Sequence, residues 1–166
     1  KEVVPERFWH YCLNDKTHFL KGHEEIVYVN NSPDTLRTIY VHLWPNAYKN
    51  DQTDLAKQLL SQGKTTLHYS SGSDKGYIDS LDFKVDNYKV NWYYHPNYQD
   101  IAILPLQKPL FPGDSITMST PFSVKIPKAG LSRLGHLVQA YQITQKHDPI
   151  MRDGLISYFD YEDKEN

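Results

Sequence analysis

The sequence predicts an all-β fold, an antiparallel β-sandwich with one short helix near residues 51–62. Composition points that way first: thirteen Tyr, six Phe and three Trp stand against only two Met, a bias toward sheet over helix. Short runs of β-type residues recur along the chain, and turn chemistry separates them, the spacing expected of a sandwich or open barrel.

The clearest run is residues 22–30, where Glu24, Ile26 and Tyr28 alternate with Glu25, Val27 and Val29. Asn30-Asn31-Ser32-Pro33-Asp34 then breaks it with turn-forming residues. In residues 36–44, Leu36, Thr38, Tyr40, His42 and Trp44 share one face and Arg37, Ile39, Val41 and Leu43 the other, closed by Pro45-Asn46. Both faces are rich in large side chains, so both are expected to be covered. Further β-type runs are residues 65–69, 77–85, 89–94, 100–104, 114–126 and 137–144. Ser71-Gly72-Ser73-Asp74, Asp86-Asn87 and Phe111-Pro112-Gly113-Asp114 read as turns between them. The helical exception spans Asp51 to Gln62, with Leu55, Leu59 and Leu60 at helical spacing, Asp51 placed as N-cap and Gly63 as the residue that ends it. Residues 158–166 turn acidic, and fraying is expected at 1–6 and 161–166.

A chain of 166 residues fits a single domain and buries roughly two-thirds of its unfolded surface, enough to fold without disulfide staples. Its 18 basic and 20 acidic residues leave a formal charge of -2, which gives no electrostatic drive toward nucleic acid or anionic lipid. No apolar run approaches the ~20 residues of a membrane span, and Lys1-Glu2-Val3-Val4-Pro5 lacks a signal-peptide core. The one cysteine, Cys12 between Tyr11 and Leu13, rules out an internal disulfide and reads as a small residue packed in a strand.

Eight histidines invite a search for a metal site. His23-Glu24-Glu25-Ile26-Val27 begins like H-E-x-x-H, but Val27 stands where the second histidine must be, and the segment alternates as a strand. His10, His18, His42, His68, His95, His136 and His147 lack paired ligand spacing. No metal ligand or catalytic residue is therefore assigned. There is no G-x-S-x-G elbow, since Gly72-Ser73 and Gly113-Asp114-Ser115 sit in turn sequences. Phosphate-binding glycine loops are absent. The carboxylate pairs Glu24/Glu25 and Asp79/Asp82 read as solvated strand charges, because successive strand residues face opposite sides. Asn30-Asn31-Ser32 matches a glycosylation acceptor in form, and reads as a polar turn.

From Gly22 to Gln145 the chain resembles the N-terminal domain of bacterial, Bacteroides-type aminopeptidase N-like zinc metallopeptidases, the gluzincin aminopeptidase family. Five segments carry the resemblance in order and spacing: Tyr28-Val29-Asn30-Asn31-Ser32-Pro33-Asp34-Thr35-Leu36, His42-Leu43-Trp44-Pro45-Asn46-Ala47-Tyr48, Gly76-Tyr77-Ile78-Asp79, Leu110-Phe111-Pro112-Gly113-Asp114 and Ser132-Arg133-Leu134-Gly135. What the resemblance implies is a saddle-like β-domain, here incomplete, that packs on a separate thermolysin-like catalytic domain and walls its substrate cleft. The zinc and its H-E-x-x-H ligands would belong to that second domain, with peptide substrate at the domain interface. The resemblance also carries one role to Gln145, which follows Tyr141-Gln142-Ile143-Thr144: contact with the substrate's first side chain. The next residues, Lys146-His147-Asp148-Pro149-Ile150-Met151, depart from the aromatic, proline-rich stretch of that family. A periplasmic or cell-envelope location is the one the resemblance favours.

A second function class fits the same composition. Tyrosine- and tryptophan-rich β-sandwiches present aromatic platforms to extracellular glycans or proteins, and Trp9, Trp92, Tyr93 and Tyr94 are the candidates. A self-contained hydrolase is the third class, and no residue constellation supports it.

Overall fold

The computed structural model describes residues 7–14 and 16–132. Within them the chain runs through β1 (Arg7–Asn14), β2 (Phe19–Val29), β3 (Leu36–His42), a 3-10 turn at Trp44–Tyr48, α1 (Asp54–Ser61), α2 (Thr66–Tyr69) and a second 3-10 turn at Gly72–Asp74. Strands β4 (Tyr77–Asp79), β5 (Lys84–Val85), β6 (Tyr88–Lys89), β7 (Tyr93–Tyr94), β8 (Ile101–Leu110) and β9 (Ser115–Lys125) follow. The fold is the expected antiparallel, all-β sandwich with a short helix. The larger sheet has the order β1-β2-β9-β5-β6, with β4 also on β9, and the smaller one has the order β3-β8-β7.

Alternation decides what each sheet buries. Ile26 and Tyr28 on β2 pair with Met118 and Ile116 on β9, and this row packs against Ile39, Ala102 and Leu104 of the smaller sheet and Leu43 just after β3, with Phe83 and Val90 filling between. A second cluster, Phe122, Val124 and Ile126 with Leu13, Leu20, Ile78 and Leu81, closes the other end. Among the polar residues Asn46 is fully buried. Its Nδ2 donates to the Gln99 carbonyl at 3.0 Å, and its Oδ1 accepts the Ile78 N–H at 3.0 Å. One side chain thus ties the turn after β3 to β4 and to the loop before β8.

The turns follow their residues. Asp86 and Asn87 have φ of 49° and 66°, the doubly left-handed geometry of a type I′ hairpin. Pro112 and Gly113 form a type II turn, with Gly113 at φ 84° and the Asp114 N–H donating to the Phe111 carbonyl at 3.0 Å. Gly63, at φ 76°, ends α1 as expected.

Several expectations are corrected. The cap of α1 is Thr53, not Asp51: its Oγ1 accepts the Ala56 N–H at 3.2 Å and donates to the Ala47 carbonyl at 2.7 Å. Residues 65–69 form helix α2 rather than a strand. Leu67 is its buried anchor, and the Tyr69 N–H donates to the Thr65 carbonyl at 3.1 Å, so local β propensity yields to packing. The 77–85 run breaks at Ser80, whose φ is 61°, into β4 and β5. The 89–94 run crosses between sheets, with buried Val90 at the crossing. Strand β8 continues past Pro105 to Leu110, because β7 pairs only with Ala102 and Ile103 and a proline beyond it breaks no ladder on that side. Cys12 lies in a strand but is exposed rather than packed. From Thr38 onward only the face of β3 carrying Ile39 and Val41 packs inward, while Leu36, before a register shift, also reaches the core; Tyr40 is 62% exposed. The 137–144 run and the two chain ends expected to fray lie outside the described residues.

Replacing Asn46 with Ala leaves the Ile78 N–H and the Gln99 carbonyl without this partner, and should lower stability by about 2–3 kcal/mol in urea denaturation; a loss within experimental error would contradict its role as a tie. Asp74 offers an acid-side check. Ser71 Oγ donates to its carboxylate at 2.8 Å and Lys128 Nζ lies 3.1 Å away, and these contacts, the Ser71 bond foremost, hold its pKa below the ordinary carboxylate value. A depressed folded-state pKa gives stability that is present above the unfolded value and is lost as pH falls through the folded one. NMR titration should show Ser71→Ala raising the Asp74 midpoint more than Lys128→Met does.

Candidate functional site

Among the described residues no group of three or more His, Cys, Asp or Glu is placed to hold a metal ion. His23 and Val27 lie in strand β2 opposite Pro121 and Thr117, so the H-E-x-x-H likeness has no helix to stand on. Glu24 and Glu25 are successive strand residues on opposite faces. Asp79 accepts from Ser80 Oγ at 3.0 Å while Asp82 pairs with Lys89 Nζ at 2.8 Å, so each carboxylate has a partner other than the second carboxylate. Gly72-Ser73 lies in the second 3-10 turn, Gly113 in the turn before β9, and Ser115 opens β9.

Asn30 is no sugar acceptor in this fold. It is 1% exposed, and its Nδ2 donates to the Asp34 carbonyl at 2.8 Å and the Leu110 carbonyl at 3.0 Å. Its Oδ1 accepts from the Ser32 N–H and hydroxyl. The sequon is a turn organiser that binds the β2–β3 connection to the end of β8.

The aromatic candidates separate. Trp92 is half-buried, edge-on to Phe83 at 5.5 Å and to Tyr94 at 5.1 Å, so it packs the sandwich rather than offering a platform. Tyr93 and Tyr94 are both partly exposed but on opposite faces, as successive strand residues must be. The Trp9 side chain and Gln145 lie outside the described residues.

What the structure does assemble is an aromatic strip on the outer face of the smaller sheet. Ile103 of β8 stands opposite Tyr40 of β3 on one side and Tyr93 of β7 on the other, and directly paired residues share a face. Ile103 is 6% exposed, while Tyr40 and Tyr93 on either side of it are 62% and 53% exposed. One step along, His42 faces Ile101. Trp44, 68% exposed, meets the His42 ring edge-on at 4.1 Å, and His42 Nε2 lies 3.0 Å from Asp100 Oδ2. The imidazole is thereby held between a carboxylate and an indole, and the indole is held in turn.

Below this strip lies an apolar groove of about 210 Å³ between the sheets, walled by Leu20, Ile26, Leu43, Phe122 and Val124, with Trp44 among the residues at its border. Strip and groove offer aromatic and apolar surface, with His42 and Asp100 as an imidazole–carboxylate pair beside them. The alternation of Tyr40, His42 and Trp44 was visible in the sequence. The addition of Tyr93 to them was not, because it depends on the register of β7 on β8.

No protein-family model matches the sequence, and no curated protein matches it. Solved structures similar to it include a mutant two-domain M1 zinc metallopeptidase bound to L-arginine, at 11% identity and a TM-score of 0.44, covering 75% of this chain and 20% of that one. An M1 zinc metallopeptidase from Deinococcus radiodurans is similar at 11% identity and a TM-score of 0.39, over 67% of this chain and 17% of that one. A mutant from the same organism gives 11% identity and 0.44, over 75% and 20%. The chain spans no more than about a fifth of the length of these structural neighbours.

If the strip is surplus to the fold, Tyr40→Ser combined with Trp44→Ala should change stability by less than about 1 kcal/mol. Phe83→Ala, inside the core, should cost about 3–5 kcal/mol. Urea denaturation of the three proteins checks this, and equal losses would make the strip part of the core.

Proposed function

We propose that this chain is a non-catalytic N-terminal β-domain of a zinc-dependent aminopeptidase, packing on a separate catalytic domain and walling its substrate cleft. The observation that carries this reading is the Tyr40–Ile103–Tyr93 row with Trp44 beside it. The inner face of the same sheet is already closed over a core, so an outer aromatic strip fits a second folded body rather than the chain's own stability. The ordered run of motifs from Gly22 to Gln145 supports the choice of that body.

In this arrangement the zinc, bound by the catalytic domain, supplies Lewis-acid activation for peptide hydrolysis. This chain excludes water from one side of the cleft and restricts how a peptide lies in it. Gln145 is the residue we assign to substrate contact, through its side-chain amide and the first side chain of the peptide. The protein is placed in the periplasm or cell envelope on the same resemblance.

The test uses the catalytic domain of the parent polypeptide produced as a separate chain. Mixed with this chain, it should form a complex in analytical ultracentrifugation and hydrolyse aminoacyl substrates faster. Tyr40→Ser with Trp44→Ala should weaken the complex by roughly tenfold or more, the size expected of buried aromatic anchors. Gln145→Ala should leave the complex intact and change kcat/KM between substrates with different first residues by about tenfold. Absence of both complex and activation would overturn the reading, and glycan binding lost on Tyr93→Ser would replace it with a carbohydrate-binding role.

A further inference from the structure

One end of the aromatic strip holds a carboxylate fixed among rings. His42 of β3 faces Ile101 of β8, and on the far side of Ile101 the pairing of β7 runs on by one residue, the His95 N–H donating to the Ile101 carbonyl at 2.8 Å. His42–Ile101–His95 is thus a second row beside Tyr40–Ile103–Tyr93. Rings extend it at both ends, since Trp44 meets His42 at 4.1 Å and Tyr98 packs on His95 at 4.7 Å. Asp100, just before β8, is tied twice: its carbonyl accepts the Leu43 N–H at 2.6 Å, and its Oδ2 accepts from His42 Nε2 at 3.0 Å. A single imidazole therefore stands between a carboxylate and an indole. The Asp100 side chain is 24% exposed and Trp44 68%, so both reach the surface that a partner would cover.

We propose, resting on the reading of the strip as a docking face, that the partner body meets this place with an arginine whose guanidinium stacks on Trp44 and donates to Asp100. Covering the strip takes water away from the carboxylate. His42 supplies one hydrogen bond, and even as an imidazolium it leaves other lone pairs of the two oxygens to be satisfied. A desolvated carboxylate short of donors is strongly destabilising, so the partner has to bring one, and charge complementarity makes it cationic.

The surroundings select the cation. Lysine would bring a compact, strongly hydrated ammonium on a flexible stem, whereas a guanidinium is planar, less strongly hydrated, stacks on an aromatic face and offers a fork of N–H groups to a carboxylate. Tryptophan, tyrosine and arginine are also the residues on which interface affinity concentrates. A sugar ring would lie on Trp44 as well, but its neutral hydroxyls would leave the charge of Asp100 uncancelled.

The 166-residue chain tests this chemistry without a catalytic domain. A short acetylated peptide amide with one arginine, and the same peptide with citrulline, which keeps the shape and loses the charge, are titrated into 15N-labelled chain. The Trp44 indole N–H signal, assigned by its loss in Trp44→Phe, should shift at about three- to fivefold lower concentration of the arginine peptide. Asp100→Asn, its unfolding transition checked against the unsubstituted chain, should remove that preference, while Asp54→Asn, exposed on α1, should keep it. Equal shifts with both peptides, a preference that survives Asp100→Asn, or a stronger shift with cellobiose than with the arginine peptide overturns the proposal. Against the separately produced catalytic domain, Asp100→Asn should speed dissociation by about thirtyfold or more. A complex whose dissociation is unchanged overturns the arginine contact and leaves the docking reading standing. Failure to form any complex overturns the docking reading instead, and the arginine preference then stands or falls by the peptide shifts.

Discussion

The antiparallel pairing of β2 with β9 is the constraint on which the remaining structure hangs. It holds one register from Phe19 opposite Lys125 to Val29 opposite Ser115, and a slip by one residue would turn every side chain to the other face. With the register fixed, Ile26, Met118 and Ile116 face the smaller sheet, β1 adds on one side, and β4 and β5 add on the other. The Asn30 turn pins one end, exchanging backbone bonds with Asp114 and Gly113 at 2.9 Å. Asn46 pins the other.

Among the described residues a sheet of five strands in line lies opposite one of three, with consequences at the surface. Where the sheets overlap, the core closes around Leu104 and Ala102, both without exposure. Where they do not, the groove beside β3 is left. The outer face of the smaller sheet has no layer over it among the described residues, and there Tyr40, Tyr93 and Trp44 gather.

The sequence was most legible where one local rule decided the outcome. The alternation of residues 22–30 and 114–126, the glycine that ends α1 and the Asp86-Asn87 hairpin each depend on residues within a few positions. Legibility failed where distant partners decide. Thr65 to Tyr69 looks like strand until Leu67 finds a buried site, and Lys89 to Tyr94 looks continuous until Val90 enters the core and the chain changes sheets. Pro105 reads as a stop, yet β8 continues because its second neighbour has already ended. The candidate site shows the same division. The exclusion of His23 as a metal ligand followed from strand geometry, and the packed state of Trp92 followed from contacts no spacing reveals. The place of Tyr40 in the strip depended on the positions of Ile103 and Tyr93.

The proposed role requires the aromatic face of the smaller sheet to be covered by a catalytic neighbour. Hydroxyl-radical footprinting of the intact parent polypeptide against this chain alone tests it most directly. Oxidation of Tyr40, Trp44 and Tyr93 should fall strongly in the intact polypeptide while that of Tyr69, exposed on α2, stays unchanged. Equal oxidation of the strip in both would contradict the account.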